Sequence, residues 1–299
     1  KNFGLFICGG KGKTSLKTPD EIQNWGEVLS LPESQVNNLA YNSKMAAKVD
    51  SGLVQDGFQI YHHAFFFSKS GAWAVVQQGM NAVNQSARRY HWYSKNIADL
   101  VVEPHSGIAS QTLAKTLNLT AKESKPTQEL SIQLVGGNYY SLMKDIQILR
   151  RHFSSLSQSI KVGRGQQTFT FLNLDNKEFN WHPVVTEDFS KSKYLEKILY
   201  KICEIKPENY EKFVSLEGVG PKTVRALSLV SEVIYGAKPS YQDPARYSFA
   251  HGGKDATPYP IDRPTYDSTI SFFQKIIKRL KIPISEKKKL ESKLDYVRL

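Results

Sequence analysis

An α+β N-terminal domain followed by a mainly α domain built around a helix-hairpin-helix is what the sequence predicts, and three observations carry that reading. Residues 58–67 (FQIYHHAFFF) and 72–77 (AWAVVQ) are rich in β-formers, and the four residues between them suit a hairpin. Residues 120–128 (TAKESKPTQ) show no apolar periodicity and read as a linker, which sets a first domain at 1–128 and a second at 129–299. Beyond the linker, apolar residues recur at helical spacing, interrupted at Gly218-Val219-Gly220.

Each element follows in order. Residues 2–8 (NFGLFIC) read as a short buried strand, and a glycine-lysine loop at 9–13 follows it. Thr18-Pro19-Asp20-Glu21 reads as a helix start, with Thr18 as N-cap, Pro19 at the first helical position and acids in the first turn. A second helical pattern covers 31–54. In the second domain, 139–153, 193–205 and 208–216 read as helices and 168–172 as a strand. Residues 224–234 are apolar nearly all round, which predicts a buried helix. Residues 263–280 are amphipathic, with Ile270, Phe273, Ile277 and Leu280 on one face and Lys275, Lys278 and Arg279 off it. A last basic helix covers 285–297, and no internal repeat is visible.

Hydrophobic residues make up 40% of the chain, enough for a proper core. No apolar run reaches the length of a membrane span, and no signal peptide is visible. The two cysteines, Cys8 and Cys203, lie too far apart in sequence to suggest a disulfide framework. These features point to a reducing, cytoplasmic location, nucleoid-associated in a prokaryote, and to no membrane partner. The chain begins at Lys1 rather than Met, which leaves room for a preceding segment. Forty Lys and Arg against 28 Asp and Glu give a net charge of +12, a field that draws polyanions. Half of that surplus, nine basic against three acidic side chains, falls in residues 270–299. The plainer alternative is a lysine-rich, well-solvated surface.

The sharpest local signal is Leu216-Glu217-Gly218-Val219-Gly220-Pro221-Lys222-Thr223, with helical sequence on both sides. Gly-x-Gly lets the backbone turn tightly and approach another chain closely. The turn ends at a helix N-terminus, whose unpaired N–H groups favour a phosphate oxygen. Val219 can fill the gap between the two helices. Such a hairpin grips a nucleic-acid backbone without reading its sequence. Gly218, Val219, Gly220, Thr223 and Arg225 are the predicted contacts there, with Arg263, Lys275 and Lys278 further along.

At this point the chain resembles the helix-hairpin-helix DNA glycosylases, the group of endonuclease III and 8-oxoguanine glycosylase, over residues 193–280. Their hairpin reads Gly-Val-Gly-x-Lys, matched here by Gly218 to Lys222, and Pro260-Ile261-Asp262-Arg263 stands where they carry an aspartate. The C-terminal half also resembles a largely archaeal family of unknown function that ends in the same hairpin. The first resemblance implies base-excision repair: Lys222 as Schiff-base nucleophile of a glycosylase and AP lyase, Asp262 as its partner, damaged or abasic duplex DNA as substrate. A lysine attacks only as the neutral amine, and a helix N-terminus favours that form over the ammonium. Asp262 would stabilise the cationic sugar or move a proton. Two departures stand out. The four-cysteine iron–sulfur ending of endonuclease III is absent, so no cofactor and no metal are expected, and residues 237–259 lengthen the gap before Asp262. In that extra segment Tyr241, Arg246, Tyr247, Phe249, His251 and Tyr259 are candidates for a base pocket or wedge. Its plain reading is an ordered surface loop held by its own aromatics. Lys222 can likewise be a phosphate contact only, and Asp262 a helix cap.

The N-terminal half offers weaker signals. Gly9 to Ser15 (GGKGKTS) follows a strand, but a Walker motif needs glycine where Ile7 stands, so only loose phosphate contact remains. His62, His63, His91, His105 and Asp56 would make a nuclease-type metal site if brought together across strands, though no zinc-type spacing supports it. Residues 73–80 and Arg88-Arg89-Tyr90-His91-Trp92 mix aromatics with arginines, which suits base stacking or a sheet core with a basic edge. Two rivals to base excision therefore stand. One is a metal-dependent nuclease that uses the hairpin as a grip; the other is a non-enzymatic DNA- or RNA-binding module, including one for single strands.

Overall fold

The computed structural model describes residues 4–82, 85–110, 113, 116–153, 193–247 and 263–295. The N-terminal part is an antiparallel sheet flanked by helices, and the C-terminal part is helical. The sheet consists of β1 (Leu5–Lys11), β3 (Gln59–Ser68), β4 (Trp73–Asn81), β5 (Ser86–Tyr93) and β6 (Gly107–Ser110), in the order β1-β3-β4-β5-β6. The predicted β3–β4 hairpin is present, closed by the Ser68 amide on the Ala72 carbonyl. A separate ladder joins β2 (Val54–Gln55) to β7 (Leu117–Asn118).

Two helices, α1 (Thr18–Leu29) and α2 (Glu33–Gly52), pack against the sheet. Thr18 differs from its predicted place. It is the first helical residue, and its hydroxyl donates backward to the Ser15 carbonyl, because a 3-10 turn (Gly12–Lys17) runs straight into α1. That turn and the end of β1 take up the stretch expected to be a loop.

The remaining helices among the described residues are α3 (Lys125–Gly136), α4 (Tyr139–Phe153), α5 (Lys193–Ile205), α6 (Tyr210–Ser215), α7 (Pro221–Leu229), α8 (Arg263–Arg279) and α9 (Ile284–Asp295). A π turn (Val230–Ile234) extends α7. The strand expected at 168–172 lies outside the described residues. On α8, Ile270 and Ile277 are buried as expected, whereas Phe273 is 46% exposed beside Phe272, so the apolar stripe is narrower than its spacing suggests.

One core cluster runs through both halves of the chain, from Phe6 and Phe65 in the sheet to Phe213, Leu227 and Val230 around α7. Residues 120–128 are accordingly not a linker. Thr120, Ser124, Thr127 and Gln128 are all buried. Their polar atoms are used in bridging: Ser124 donates to the Asn118 carbonyl, Thr127 to the Ala237 carbonyl and Gln128 to the Leu119 carbonyl. Buried polar groups with partners look like loop composition when only the sequence is read.

Candidate nucleic-acid interface

The turn at residues 216–220 joins α6 to α7, and its two glycines differ in kind. Gly218 has φ +85°, in the left-handed region, and the place a Cβ would take is already filled by the Ile198 side chain of α5. The fold therefore needs glycine there twice over. Gly220 has φ −142°, an extended backbone that any residue adopts, and a Cβ there would meet nothing within 4 Å. Nothing among the described residues requires a glycine at 220. Its bare Cα faces open space at the N-cap of α7, which carries no side-chain cap. The first-turn N–H groups of a helix have no intrahelical partner. Val219 is buried, and its amide closes the turn on the Leu216 carbonyl at 3.3 Å.

Lys48, on α2, holds the underside of this turn. Its Nζ donates to the carbonyls of Val214 at 2.8 Å, Leu216 at 2.6 Å and Val219 at 3.0 Å. An ammonium has three N–H groups, and each has one carbonyl. Burial, and then the charge of Lys44, push Lys48 down to about 8 against the opposing pull of Glu217. Gln55 fixes the start of α7, donating to the Pro221 carbonyl at 3.1 Å and accepting from Arg225 Nε at 2.5 Å.

The predicted contact residues divide accordingly. Gly220 is half-buried with open space at its Cα, and Lys222 is exposed at the second position of α7. Val219 and Thr223, the latter 3% exposed, belong to the core with their side chains, and half-buried Arg225 is turned toward Gln55. Arg263, Lys275 and Lys278 are exposed on α8. Tyr241 packs against the core and donates to the Glu232 carboxylate, an anchored residue and not a free wedge. Arg246 and Tyr247 fall in the 3-10 turn Pro244–Tyr247. Asp262, Phe249, His251 and Tyr259 lie outside the described residues.

Three residues near the turn escaped the sequence reading. Lys48 and Gln55 lie some 170 positions upstream, and no local pattern marks them. Tyr194 on α5 is 62% exposed, and its phenol oxygen lies 3.4 Å from the place of a Cβ on Gly218. The recurrence of Lys and Tyr at 193, 194, 197, 200 and 201 was the available signal.

Most of the N-terminal candidates are committed to the interior, whereas His62 and His91 are half-buried and Arg89 is exposed. Gln77 Oε1 can only accept, so His63 Nδ1 donates to it, at 3.0 Å, and His63 Nε2 accepts from Ser43 at 2.9 Å. Burial holds the His63 imidazolium well below the ordinary histidine range. His105 lies 2.5 Å from Asp50, which also accepts from Trp92 and Gln77. Asp56 receives Arg88 at 2.9 Å and the Tyr90 hydroxyl at 2.6 Å; Arg88, fully buried, also reaches Asp243 at 2.8 Å. Trp73, Arg88, Tyr90 and Trp92 are thus sheet core and not a stacking platform, because β4 and β5 alternate inward and outward and Trp73 on β4 and the other three on β5 point inward. Among the described residues no group of three or more His, Cys, Asp or Glu is placed to hold a metal ion. The Gly9 amide in the glycine-lysine segment already binds the Glu21 carboxylate at 2.7 Å. Cys8 and Cys203 are free and buried.

A protein-family model described as "Protein of unknown function (DUF763)" matches residues 1–261. The chain belongs to the DUF763 family. No curated protein and no solved structure matches it. The DUF763 match runs from β1 through the turn in one stretch, as the core does, and ends before α8. Among the described residues of this DUF763 chain, no helix is long and apolar enough to cross a membrane.

Proposed function

We propose that this DUF763 protein binds duplex DNA through its backbone, with α6, the turn at 216–220 and α7 acting as a helix-hairpin-helix. One observation carries the reading: Gly220 is a glycine the fold does not need, standing bare at an uncapped helix N-terminus. A missing side chain there leaves room for a phosphate to approach the free amides. The net charge of +12 supplies the long-range attraction. Fluorescence anisotropy with a labelled 20-base-pair duplex tests it. Affinity should fall steeply with salt and be alike for unrelated sequences, and Gly220→Ala should weaken it without lowering Tm. Unchanged affinity in Gly220→Ala would remove the turn as the grip.

Base excision is the second reading, favoured by one further observation: Lys222 stands exposed two residues from Gly220, within reach of what the turn holds. Its neutral amine would add to C1′ of an abasic sugar, losing water to form an imine, and β-elimination would then expel the 3′ phosphate. Borohydride reduces that imine to a stable amine. A trapped protein–DNA adduct that disappears in Lys222→Ala supports this. Strand cleavage that requires divalent metal and survives Lys222→Ala would replace it with the nuclease reading, and salt-dependent binding without product would leave a binding module.

A further inference from the structure

Beside the turn, α5 presents a face that no other element among the described residues covers. Along its 13 residues, Leu195, Ile198, Leu199, Ile202 and Cys203 point into the core. Lys193, Tyr194, Lys197, Tyr200 and Lys201 are exposed on the opposite side. At 100° per residue the three lysines form a central ridge, and the two tyrosines stand at its two margins. Tyr194, at one margin, reaches the turn at Gly218. Tyr200, 52% exposed at the other, meets the ring of Tyr139 edge-on at 5.3 Å, and Tyr139 in turn meets Tyr140, itself 73% exposed. One acidic residue, Glu204, shares the face at its C-terminal end.

We propose that this face of α5 is a track for single-stranded nucleic acid leaving the hairpin, with phosphates on Lys193, Lys197 and Lys201 and bases against Tyr194, Tyr200 and Tyr140. The proposal rests on the reading of the turn as a backbone grip. Cations set between exposed aromatic rings are what a flexible strand needs, because its bases are free to stack and its phosphates are not paired across a groove. A duplex keeps its bases stacked inside and gains nothing from the tyrosines. Tyr194 at one margin of the lysine ridge and Tyr200, Tyr139 and Tyr140 at the other fit a π-faced anionic ligand better than an apolar one.

The test compares a labelled blunt duplex with the same duplex carrying a single-stranded overhang, on the full chain. The overhang should strengthen binding. Tyr194→Ala and Tyr200→Ala should each remove roughly 5- to 100-fold of the overhang affinity, and Tyr200→Ala, away from the turn, should leave blunt-duplex binding unchanged. Tyr→Phe at both positions keeps the ring and should bind like the wild type, which separates stacking from loss of fold. Replacing the three lysines by Gln should flatten the salt dependence of overhang binding by about 0.7 per lysine. An overhang that adds no affinity, or alanine variants that bind it like the wild type, would overturn the track. Blunt-duplex binding that is indifferent to Gly220→Ala overturns the grip instead, so the two failures are told apart.

Discussion

Lys48 on α2 donates a 2.6 Å hydrogen bond to the carbonyl of Leu216, 168 residues further along the chain. That bond and its two companions tie the underside of the turn to the helix that also supports the sheet. An amine has only two N–H groups for the three carbonyls, so the turn loosens when Lys48 deprotonates. DNA affinity should therefore fall as pH rises from 7 to 9.5, centred near 8. Stability runs the other way: the folded value lies below the ordinary 10.5, so the unfolded chain holds this proton more tightly between about 8 and 10.5, and the Lys48 contribution to unfolding free energy rises with pH there. Anisotropy and urea titrations across that range check both signs. Lys48→Met should bind weakly and show neither slope.

The two glycines of the turn should separate stability from binding. Gly218→Ala forces a side chain into a left-handed residue against Ile198 and should cost about 1–3 kcal/mol. Gly220→Ala meets no atom and should leave urea stability unchanged or raise it by up to about 1 kcal/mol. A Gly220→Ala protein as unstable as Gly218→Ala would mean that the turn is tighter than its geometry indicates.

Arg88 is a buried cation between two carboxylates, Asp56 and Asp243, with its guanidinium over the Phe58 ring at 4.6 Å. Arg88→Ala leaves two buried acids without their cation and should cost about 3–5 kcal/mol in denaturant unfolding. Asp243→Asn keeps a hydrogen-bond acceptor beside Arg88 and should cost less. Equal losses in the two variants would argue against the pair as the stabilising unit.

His63 should make the protein acid-sensitive. Burial lowers its folded-state value below the ordinary 6.5, so its contribution is fully present above 6.5 and is lost as pH falls through the window beneath. His91 is shifted the same way, by burial and by Arg89. Urea midpoints should drop below pH 6.5 in the wild type and drop less in His63→Gln. Parallel pH curves for the two would show that His63 does not carry the effect.

Local chemistry made much of the fold legible. The β3–β4 hairpin, α4, α5 and the buried α7 follow from periodicity and turn residues, and Gly218 with Val219 follows from the needs of a tight turn. What the sequence hid was long-range. Polar residues at 120–128 read as a linker because only the folded chain shows the carbonyls they bridge. Arg88 read as a surface cation because Asp56 and Asp243 lie 32 and 155 positions away. No local pattern marks Lys48, whose carbonyl partners lie 166 to 171 positions away, and the glycine that matters most to the proposed grip looks the same in sequence as the one the fold needs.

The ion pair between Arg88 and Asp243 has a consequence for how the chain is made. During synthesis the sheet emerges from the ribosome long before Asp243 and before the helices that complete its core. At roughly 5–20 residues per second, the interval between residues 118 and 243 lasts on the order of 6–25 s. Throughout it, the edge at Asn118 lacks its bridge to Ser240, and Arg88 lacks its second carboxylate. A nascent chain in that state exposes apolar surface and an open strand edge, which makes it a client for holdase chaperones and a poor candidate for expression as an isolated N-terminal half.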